Sequence, residues 1–341
     1  MKRNMKQWVE ELKNSPVKRA LPVLSFPGIQ LMGITVKDLI GSSDLQAQCM
    51  KAVADRVDSA ASVSFMDLSV EAECFGSEIR VSEDEVPTVI GSIVKDEEDA
   101  QALQVPEVGS GRSRIYVDAI AKAMDLITDR PVLAGVIGPF SLAGRLLDVS
   151  EAMIFCYDDP DMVHTVLEKV SQFITKYILA FKVAGANGVV MAEPLAGLLS
   201  PALAEEFSAE YVKKIIDQVQ DDEFIVVYHN CGNCTIQQID SILATGSPIL
   251  HFGNAIDIKE MMTHIPENIV AAGNVDPAGE FKNGTVESIT AATRKVLEAC
   301  GCYKNFIISS GCDIPPMSRW ENIDAFFNTV DGFYKSTCTS M

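Results

Sequence analysis

The stretch from Phe224 to Cys234 reads FIVVYHNCGNC. Its first five residues are apolar without a period of two, which predicts a strand buried on both faces, as in a parallel sheet. The end of this strand delivers His229 and Cys231 into a loop. An imidazole and a thiol two residues apart at such a position are spaced to bind one soft metal ion.

A second apolar run supplies a third candidate ligand. Phe306 to Ser309 predicts another buried strand, and Cys312 follows it closely. His229, Cys231 and Cys312 together make a His-x-Cys…Cys set of three zinc ligands. Structural zinc sites are usually closed by four protein ligands, whereas catalytic sites keep one position open. The sequence therefore predicts a catalytic zinc site.

Each of these residues also has a simpler interpretation. The alternative for His229 is a hydrogen-bonded core histidine, but the cysteine two residues on and the position at a strand end favour a metal ligand. Cys231-x-x-Cys234 is compatible with a redox pair or a two-thiol metal site, although we expect Cys234 to open the next helix and point away. The other cysteines singled out are interpreted as small buried apolar side chains: Cys49, Cys74, Cys156, Cys300 and Cys338.

The order of elements predicts the fold class. Short apolar strands alternate with helices through the chain without a Gly-Ser linker, and a helix precedes the first strand. No GxGxxG follows the first strand, which disfavours a doubly wound dinucleotide-binding sheet. We predict one α/β domain over residues 1–341, a (β/α)8 TIM barrel with an N-terminal helical extension. Its eight strands are expected at 21–26, 62–66, 131–136, 188–191, 224–228, 249–252, 269–272 and 306–309.

Polar residues follow the predicted strands, at the rim where barrel active sites lie. Asp67 and Glu193 are candidate catalytic residues, and Glu193 is the candidate fourth zinc ligand. Either carboxylate would equally cap the following helix or form a salt bridge across the rim. The full set at this rim is Asp67, Glu193, His229, Cys231, Asn254, Asp257, Asn274, Asp276 and Cys312.

Two further pairs are candidates for binding a cofactor or substrate. Asn274 and Asp276, in the sequence NVDP, are compatible with loop chemistry or with a pocket wall. Arg112 and Arg114, in GSGRSR, are compatible with an anion-binding patch or with a solvated helix start.

Composition limits the partners. The formal charge of −19 argues against nucleic acid and against anionic membrane surfaces. The basic N-terminus runs into a polar helix rather than an apolar segment, and no apolar stretch approaches the roughly 18 residues of a membrane span. Nine cysteines without even spacing predict reduced thiols and a cytoplasmic protein.

These residues resemble the uroporphyrinogen decarboxylase superfamily over about residues 20 to 335, and within it the zinc-dependent methylcobamide:coenzyme M methyltransferases of methanogens. The zinc signature of His229, Cys231 and Cys312 is the specific part of the resemblance. The other motifs mark the superfamily alone: Phe65-Met66-Asp67-Leu68, Glu73-Cys74-Phe75-Gly76, Gly138-Pro139, Gly185-Ala186, Gly273-Asn274-Val275-Asp276-Pro277 and Gly311-Cys312-Asp313-Ile314.

The resemblance implies transfer of a methyl group from methylcobamide, carried by a separate small corrinoid protein, to a thiol such as coenzyme M, as in methanogenesis. Two departures separate the chain from the decarboxylases. The stretch LSFPGIQ at 24–30 lacks the arginines that hold porphyrinogen carboxylates, and Cys312 stands where the decarboxylases have a histidine. Asp67 nevertheless matches the decarboxylase aspartate.

Other functions therefore stay open at this stage. One is a demethylase component that moves methyl from a substrate to the corrinoid protein. A second is a decarboxylase-like enzyme that uses Asp67 without a metal, and a third is a zinc-sensing or assembly protein.

Overall fold

Seven parallel strands form the central sheet of the computed structural model, which describes residues 3–338 and the side chains of residues 3–336. The strands in the described part of the chain are β1 Ser62–Val63, β2 Glu78–Arg80, β3 Thr88–Ile90, β4 Val132–Ile137, β5 Gly188–Ala192, β6 Ile225–Asn230, β7 Ile249–Phe252, β8 Val270–Val275 and β9 Phe306–Ser310. The sheet order is β1-β4-β5-β6-β7-β8-β9, so each strand lies beside the previous strand of the same sheet, while β2 and β3 form a separate pair. The predicted parallel α/β class is confirmed.

Helices precede, connect and follow these strands. The α-helices are α1 Met5–Asn14, α2 Gly28–Met32, α3 Val36–Ile40, α4 Ser43–Arg56, α5 Val70–Cys74, α6 Glu97–Ala102, α7 Ser113–Leu126, α8 Pro139–Leu147, α9 Val149–Asp158, α10 Pro160–Val183, α11 Pro201–Ala204, α12 Glu210–Val219, α13 Ile239–Ala244, α14 Ile258–Met262, α15 Val286–Cys300 and α16 Trp320–Cys338. Short 3₁₀ or π segments occur at Ala196–Leu198, Glu205–Ala209 and Pro277–Lys282. The predicted N-terminal helical extension corresponds to α1, which ends before the segment 21–26.

The central strands are buried because helices cover the outer face while the inner face packs on itself. Every residue of β5, β6, β7, β8 and β9 is buried. The parallel register pairs Ala192 with His229, and His229 with His251. The carboxyl ends of β5, β6 and β7 therefore reach the same edge of the sheet together, and this edge carries the polar residues.

Helix α10 shows how the sequence pattern becomes core. Asp159 accepts a hydrogen bond from the backbone N–H of Met162 at 3.2 Å, and Pro160 occupies the first turn, where its missing N–H costs nothing. Apolar residues recur along this part of the sequence at three- and four-residue steps, which predicts one buried face, and the structure confirms it. The buried residues are Met162, Val163, Val166, Leu167, Val170, Phe173, Ile174, Tyr177, Ile178 and Phe181. Gly185 follows with φ of +99°, a conformation that favours glycine.

The predicted first strand is not a strand of the sheet. The backbone N–H of Leu21 donates to the carbonyl of Ile308 at 3.0 Å, and that of Ala60 donates to the carbonyl of Ala20 at 2.8 Å. The N–H of Val23, however, donates to the side-chain hydroxyl of Ser310 rather than to a backbone carbonyl. This segment lies alongside β9 without a regular ladder, so the sheet has seven strands where eight were predicted.

The prediction was also wrong about the helix after β6. It was expected from about residue 235, but α13 begins at Ile239. The preceding residues form turns, in which the N–H of Cys234 donates to the carbonyl of Gly197 at 3.2 Å. Cys234 thus lies in a turn rather than at a helix start.

Residues 76–111 are acidic, contain Pro and are weakly periodic, which predicts an excursion from the core. In the structure they contain the antiparallel pair β2–β3 and helix α6. Of the cysteines predicted to be core residues, Cys49, Cys156 and Cys300 are buried and Cys74 is half-buried, while the side chain of Cys338 lies outside the described residues.

Among the described helices, none combines the length and the apolar character that crossing a membrane requires.

The packing of α10 gives a prediction about stability. Phe173 is fully buried, with its ring centroid 5.6 Å from that of Phe75 and 5.7 Å from that of Tyr177. Phe173→Ala should lower the free energy of unfolding by about 3–5 kcal/mol, because it removes apolar contacts and leaves a cavity. Leu179→Ala, on the exposed side of the same helix, should change it by less than about 0.5 kcal/mol. Urea unfolding of both variants tests this assignment of faces, and equal losses would contradict it.

Candidate metal centre

Three side chains from two strand ends meet at the polar edge of the sheet. His229 is the penultimate residue of β6, Cys231 follows that strand directly, and Cys312 lies two residues beyond β9. One ligand atom from each of the three lies within 4.8 Å of the others. His229 is buried and both cysteines are half-buried. The three residues that the sequence singled out as metal ligands are thus brought together.

Close backbone approaches hold Cys231 in place. A Cβ added to Gly253 would lie 2.5 Å from the Cβ of Cys231, and one added to Gly232 would lie 2.2 Å from the Cα of Gly197. Both distances are shorter than any real contact. The loops after β5, β6 and β7 can pack this tightly only because glycine occupies these positions.

His229 has one nitrogen engaged and one free of protein partners. Its Nδ1 lies 2.7 Å from Nδ1 of His251 and 3.3 Å from the carbonyl oxygen of His251. Nε2 of His251 lies 2.7 Å from the hydroxyl of Ser309, which donates to the carbonyl of Leu21 at 2.7 Å. Nε2 of His229 is buried and has no hydrogen-bond partner among the described residues. A buried nitrogen without a partner is costly unless a ligand completes it.

The two thiols influence each other's protonation. A hydrogen bond with Cys312 lowers the pKa of Cys231, although burial opposes this effect. The same hydrogen bond, together with burial, raises the pKa of Cys312. Burial and the neighbouring His229 lower the pKa of His251 well below its ordinary value, so His251 is neutral at pH 7. Of the two thiols, Cys231 is therefore the one that loses its proton more readily.

This donor set fits zinc. Zinc in proteins is bound by cysteine thiolates and histidine nitrogen, and three protein ligands with a fourth position open characterise catalytic sites. His229, Cys231 and Cys312 offer one nitrogen and two sulfurs, and the unpartnered Nε2 is the kind of atom that a metal would satisfy.

Glu193 does not belong to this group among the described residues. Its side chain is fully buried and accepts hydrogen bonds from the backbone N–H groups of Phe140 at 3.1 Å and Ser141 at 2.6 Å, and from the hydroxyl of Ser208 at 3.2 Å. Burial raises its pKa to about 7, against the opposing effect of these hydrogen bonds. The structure therefore supports the helix-capping interpretation, at the N-terminus of α8, and gives no support to Glu193 as a metal ligand.

Asp67 is held in an ion-pair network. It contacts the guanidinium of Arg112 and accepts hydrogen bonds from the hydroxyls of Tyr116 at 2.7 Å and Ser69 at 2.5 Å. Arg112 also pairs with Glu73 at 2.8 Å. The side chain of Asp67 is fully buried, and that of Arg112 is 13% exposed. The salt-bridge interpretation of Asp67 fits this geometry, and Arg112 is already neutralised by two carboxylates.

Arg114 is exposed and pairs with Asp118 one turn further along α7 at 2.9 Å. The solvated-helix interpretation fits Arg114, and the anion patch predicted from Arg112 and Arg114 is not assembled.

Asn274 and Asp276 line a cleft of about 400 Å³ with Asn254, Asp257 and Glu280. The side-chain amide of Asn274 donates both of its hydrogens, to the carbonyls of Gly253 and Ile256, each at 3.0 Å. Asp276 accepts from the N–H groups of Ala278 and Gly279, and so caps the segment that follows. The pocket-wall interpretation describes both residues.

Sequence reasoning missed His251, Ser309 and Glu71. The sequence signal for His251 was its position as a polar residue inside the apolar run 249–252. The parallel register of β6 and β7 places His251 opposite His229. Glu71 is fully buried, and the N–H of Ile137 donates to one of its carboxyl oxygens at 3.0 Å. No local pattern distinguishes it from the exposed glutamates around it.

Comparison with known proteins identifies the family. The fold and the thiol–imidazole group define a parallel α/β protein with candidate metal ligands at the carboxyl edge of its sheet. Residues 16–333 match the model of the uroporphyrinogen decarboxylase (URO-D) family. The chain belongs to this family.

Relatives in this family have two kinds of activity. The chain is 30% identical over 266 residues to the methylcobamide:CoM methyltransferase MtbA of Methanosarcina mazei, with 75% of each chain covered. It is 27% identical over 286 residues to uroporphyrinogen decarboxylase of Coxiella burnetii, covering 80% of this chain and 77% of that one. A solved methyltransferase from Methanosarcina mazei has the same fold, with a TM-score of 0.84, 24% identity and coverage of 97% and 98%.

The burial of Glu71 gives a prediction about pH. Burial raises its pKa to about 7, so the folded protein keeps this carboxyl protonated over a range in which the unfolded chain releases the proton. The contribution of Glu71 to stability is then largest below pH 4.5 and falls as the pH rises toward 7. Glu71 should contribute a loss of roughly 3 kcal/mol at most between pH 4.5 and 8. Glu71→Gln, which imitates the protonated form, should remove that part of the loss.

Urea unfolding at pH 5 and pH 8 measures this difference. Glu193 contributes a fall of the same sign in both proteins, so the comparison of wild type with Glu71→Gln isolates Glu71. Glu78→Gln, at an exposed position of β2, is the matched control and should keep the wild-type pH dependence. Identical profiles for wild type and Glu71→Gln would show that Glu71 is ionised in the folded protein.

Proposed function

We propose that the protein is a zinc-dependent methyltransferase that moves a methyl group from a methyl-corrinoid to a small thiol such as coenzyme M. The assembled group of His229, Cys231 and Cys312, with its unpartnered histidine nitrogen, carries the proposal. The relationship to the methylcobamide:CoM methyltransferase MtbA supports the same reaction class. The missing arginines in residues 24–30 argue against a porphyrinogen substrate.

The proposed metal explains the choice of ligands. A free thiol with a pKa near 8.5 is mostly protonated at neutral pH, and coordination to zinc removes the proton while the sulfur stays nucleophilic. Cys231 and Cys312, as thiolates, would balance the two charges of the ion, and neutral His229 would add none. The two sulfur ligands would make the centre electron-rich, which would keep a substrate thiolate nucleophilic. Oxygen ligands would withdraw this electron density, so the set fits alkyl transfer better than hydrolysis.

The residues predicted to bind the negatively charged end of the thiol substrate have other partners or lie on the surface. Arg112 is paired with two carboxylates, Arg114 is exposed, and both amide hydrogens of Asn274 are used. The donors of Arg112 and Asn274 are engaged within the protein and Arg114 lies on the exposed side of α7, so we assign none of the three to a sulfonate. We therefore propose a small thiol in general, with coenzyme M as one example. Asp67 is retained as a positioning residue that orders Arg112 and Tyr116 beside the site.

Further parts of the proposal concern the whole chain. We infer that residues 1–341 form one cytoplasmic domain, and that the segment around Leu21 completes an eight-fold barrel between β9 and β1. Hydrogen bonds from Leu21 to Ile308 and from Ala60 to Ala20 support this closure. The methylcobamide would arrive on a separate small corrinoid protein, a proposal that rests on the relationship to the methylcobamide:CoM methyltransferase MtbA.

A decarboxylase-like reaction is the second candidate, favoured by the 27% identity to uroporphyrinogen decarboxylase and by Asp67. In this chain, however, the Asp67 carboxylate already accepts hydrogen bonds from Arg112, Tyr116 and Ser69, which weakens its candidacy as a catalytic group. A demethylase component, moving methyl from a substrate to the corrinoid protein, would use the same metal ligands as the main proposal.

Replacement of a ligand tests the main proposal. Cys312→Ala should lower zinc content well below one ion per chain and reduce thiol-dependent demethylation of methylcobalamin at least about 100-fold, because one of three ligands is lost. Metal analysis and the spectral change of methylcobalamin on addition of coenzyme M measure the two effects.

Cys234→Ala is the matched control, since Cys234 lies in the adjoining turn but outside the ligand group. It should keep both zinc and activity. Full zinc and activity in Cys312→Ala would refute the assignment of the ligands. Loss of zinc in Cys234→Ala would instead support a site in which Cys231 and Cys234 both bind the metal.

The decarboxylase alternative has its own test. Incubation of the wild-type protein with uroporphyrinogen should give no coproporphyrinogen, because residues 24–30 lack arginine and Cys312 replaces the histidine. Chromatography of the porphyrins after oxidation detects the product. Turnover comparable to that of a true decarboxylase would exclude the methyltransferase as the main activity.

A further inference from the structure

A chain of hydrogen bonds leads from the candidate metal centre through the sheet. It begins at Nδ1 of His229, passes through both ring nitrogens of His251 on β7 and the hydroxyl of Ser309 on β9, and ends at the carbonyl of Leu21. Its three links are each 2.7 Å long. His229, His251 and Ser309 are all buried, so water does not compete for these contacts.

The direction of this chain is fixed at its far end. A carbonyl oxygen only accepts, so the single hydroxyl proton of Ser309 is donated to Leu21. The hydroxyl oxygen must then accept from Nε2–H of His251. A neutral imidazole carries one proton, and Nδ1 of His251 is therefore an acceptor.

The near end gives the same direction independently. Nδ1 of His229 lies 3.3 Å from the carbonyl oxygen of His251, which again only accepts. The proton between the two histidines therefore resides on His229, and Nδ1 of His229 donates to Nδ1 of His251. A neutral imidazole that carries its one proton on Nδ1 has none on Nε2, and in His229 this is the buried nitrogen without a partner among the described residues.

We infer that His251 and Ser309 are positioning residues that hold the proton of His229 on Nδ1 and so keep Nε2 available to the metal. This inference rests on the proposed function, because it assigns a role to residues that support the zinc ligand. Metal-bound histidines commonly donate their other ring N–H to an acceptor, which fixes ring orientation and increases ligand basicity. Here the acceptor is a second histidine, and its own tautomer is set by a serine.

Nuclear magnetic resonance of protein labelled with ¹⁵N-histidine tests the proton positions without metal or activity. The sequence contains only four histidines, His164, His229, His251 and His264, so the signals can be assigned by substitution. In the chelator-treated wild type, His229 should be the Nδ1–H tautomer and His251 the Nε2–H tautomer. Ser309→Ala should convert His251 to a mixture of tautomers. An Nε2–H tautomer of His229 in the wild type would overturn the inference.

Zinc affinity provides the second measurement, by competition with a chromophoric chelator. His251→Phe and Ser309→Ala should each weaken zinc binding roughly 10- to 100-fold. Ser310→Ala is the matched control, because Ser310 is also a buried serine of β9 but its hydroxyl accepts from the N–H of Val23. It should bind zinc like the wild type. Unchanged affinity in both test variants would overturn the positioning role.

The two proposals fail in different ways. If the wild type binds no zinc, the proposed function fails whatever tautomers are observed. If the wild type binds zinc and loses none of its affinity in the variants, only the role of His251 and Ser309 fails. Circular dichroism checks folding, and Ser309→Ala, which removes one oxygen atom, keeps the test decisive if His251→Phe does not fold.

Discussion

The curvature of the parallel sheet is the constraint on which the candidate site depends. Strands β6 and β9 are three places apart in the sheet order, which in a flat sheet would separate them by roughly 14 Å. Ligand atoms from the ends of these strands nevertheless lie within 4.8 Å of one another. Only a sheet that curls toward itself brings Cys312 to His229 and Cys231. The packing of side chains on the inner face therefore sets the geometry of the site.

The same curvature explains the polar interior beneath the site. His251 on β7 reaches Ser309 on β9 across the intervening strand, and Ser309 reaches Leu21 in the N-terminal segment. Buried polar groups are stable when each has a partner, and this series leaves only Nε2 of His229 without one. The unpartnered atom lies where the three candidate ligands meet. Every polar group in this series therefore has a hydrogen-bond partner except Nε2 of His229, the atom that a metal would bind.

The carboxylates that follow the strands cap helices or form ion pairs, so fewer of them are available as metal ligands or as general acids and bases. Glu193 caps α8, Asp67 pairs with Arg112, and Asp276 caps the segment after β8. Local sequence could predict that each follows a strand, because strand ends are visible as the ends of apolar runs. It could not distinguish capping from catalysis, because that depends on which helix N-terminus or arginine approaches the carboxylate in space. For Glu193, the two backbone N–H groups that it caps belong to residues more than fifty positions away.

The sequence by itself determined the parallel α/β class, the buried face of α10 and the three candidate ligands. These follow from local periodicity, from capping residues and from the chemistry of histidine and cysteine at strand ends. Only the tertiary structure decided that the segment at 21–26 lies outside the regular ladder and that His251 supports His229. It also decided that Glu193, Arg114 and Asn274 are engaged elsewhere. Hydrogen-bond partners and sheet curvature arise between residues distant in the chain, so no local pattern encodes them.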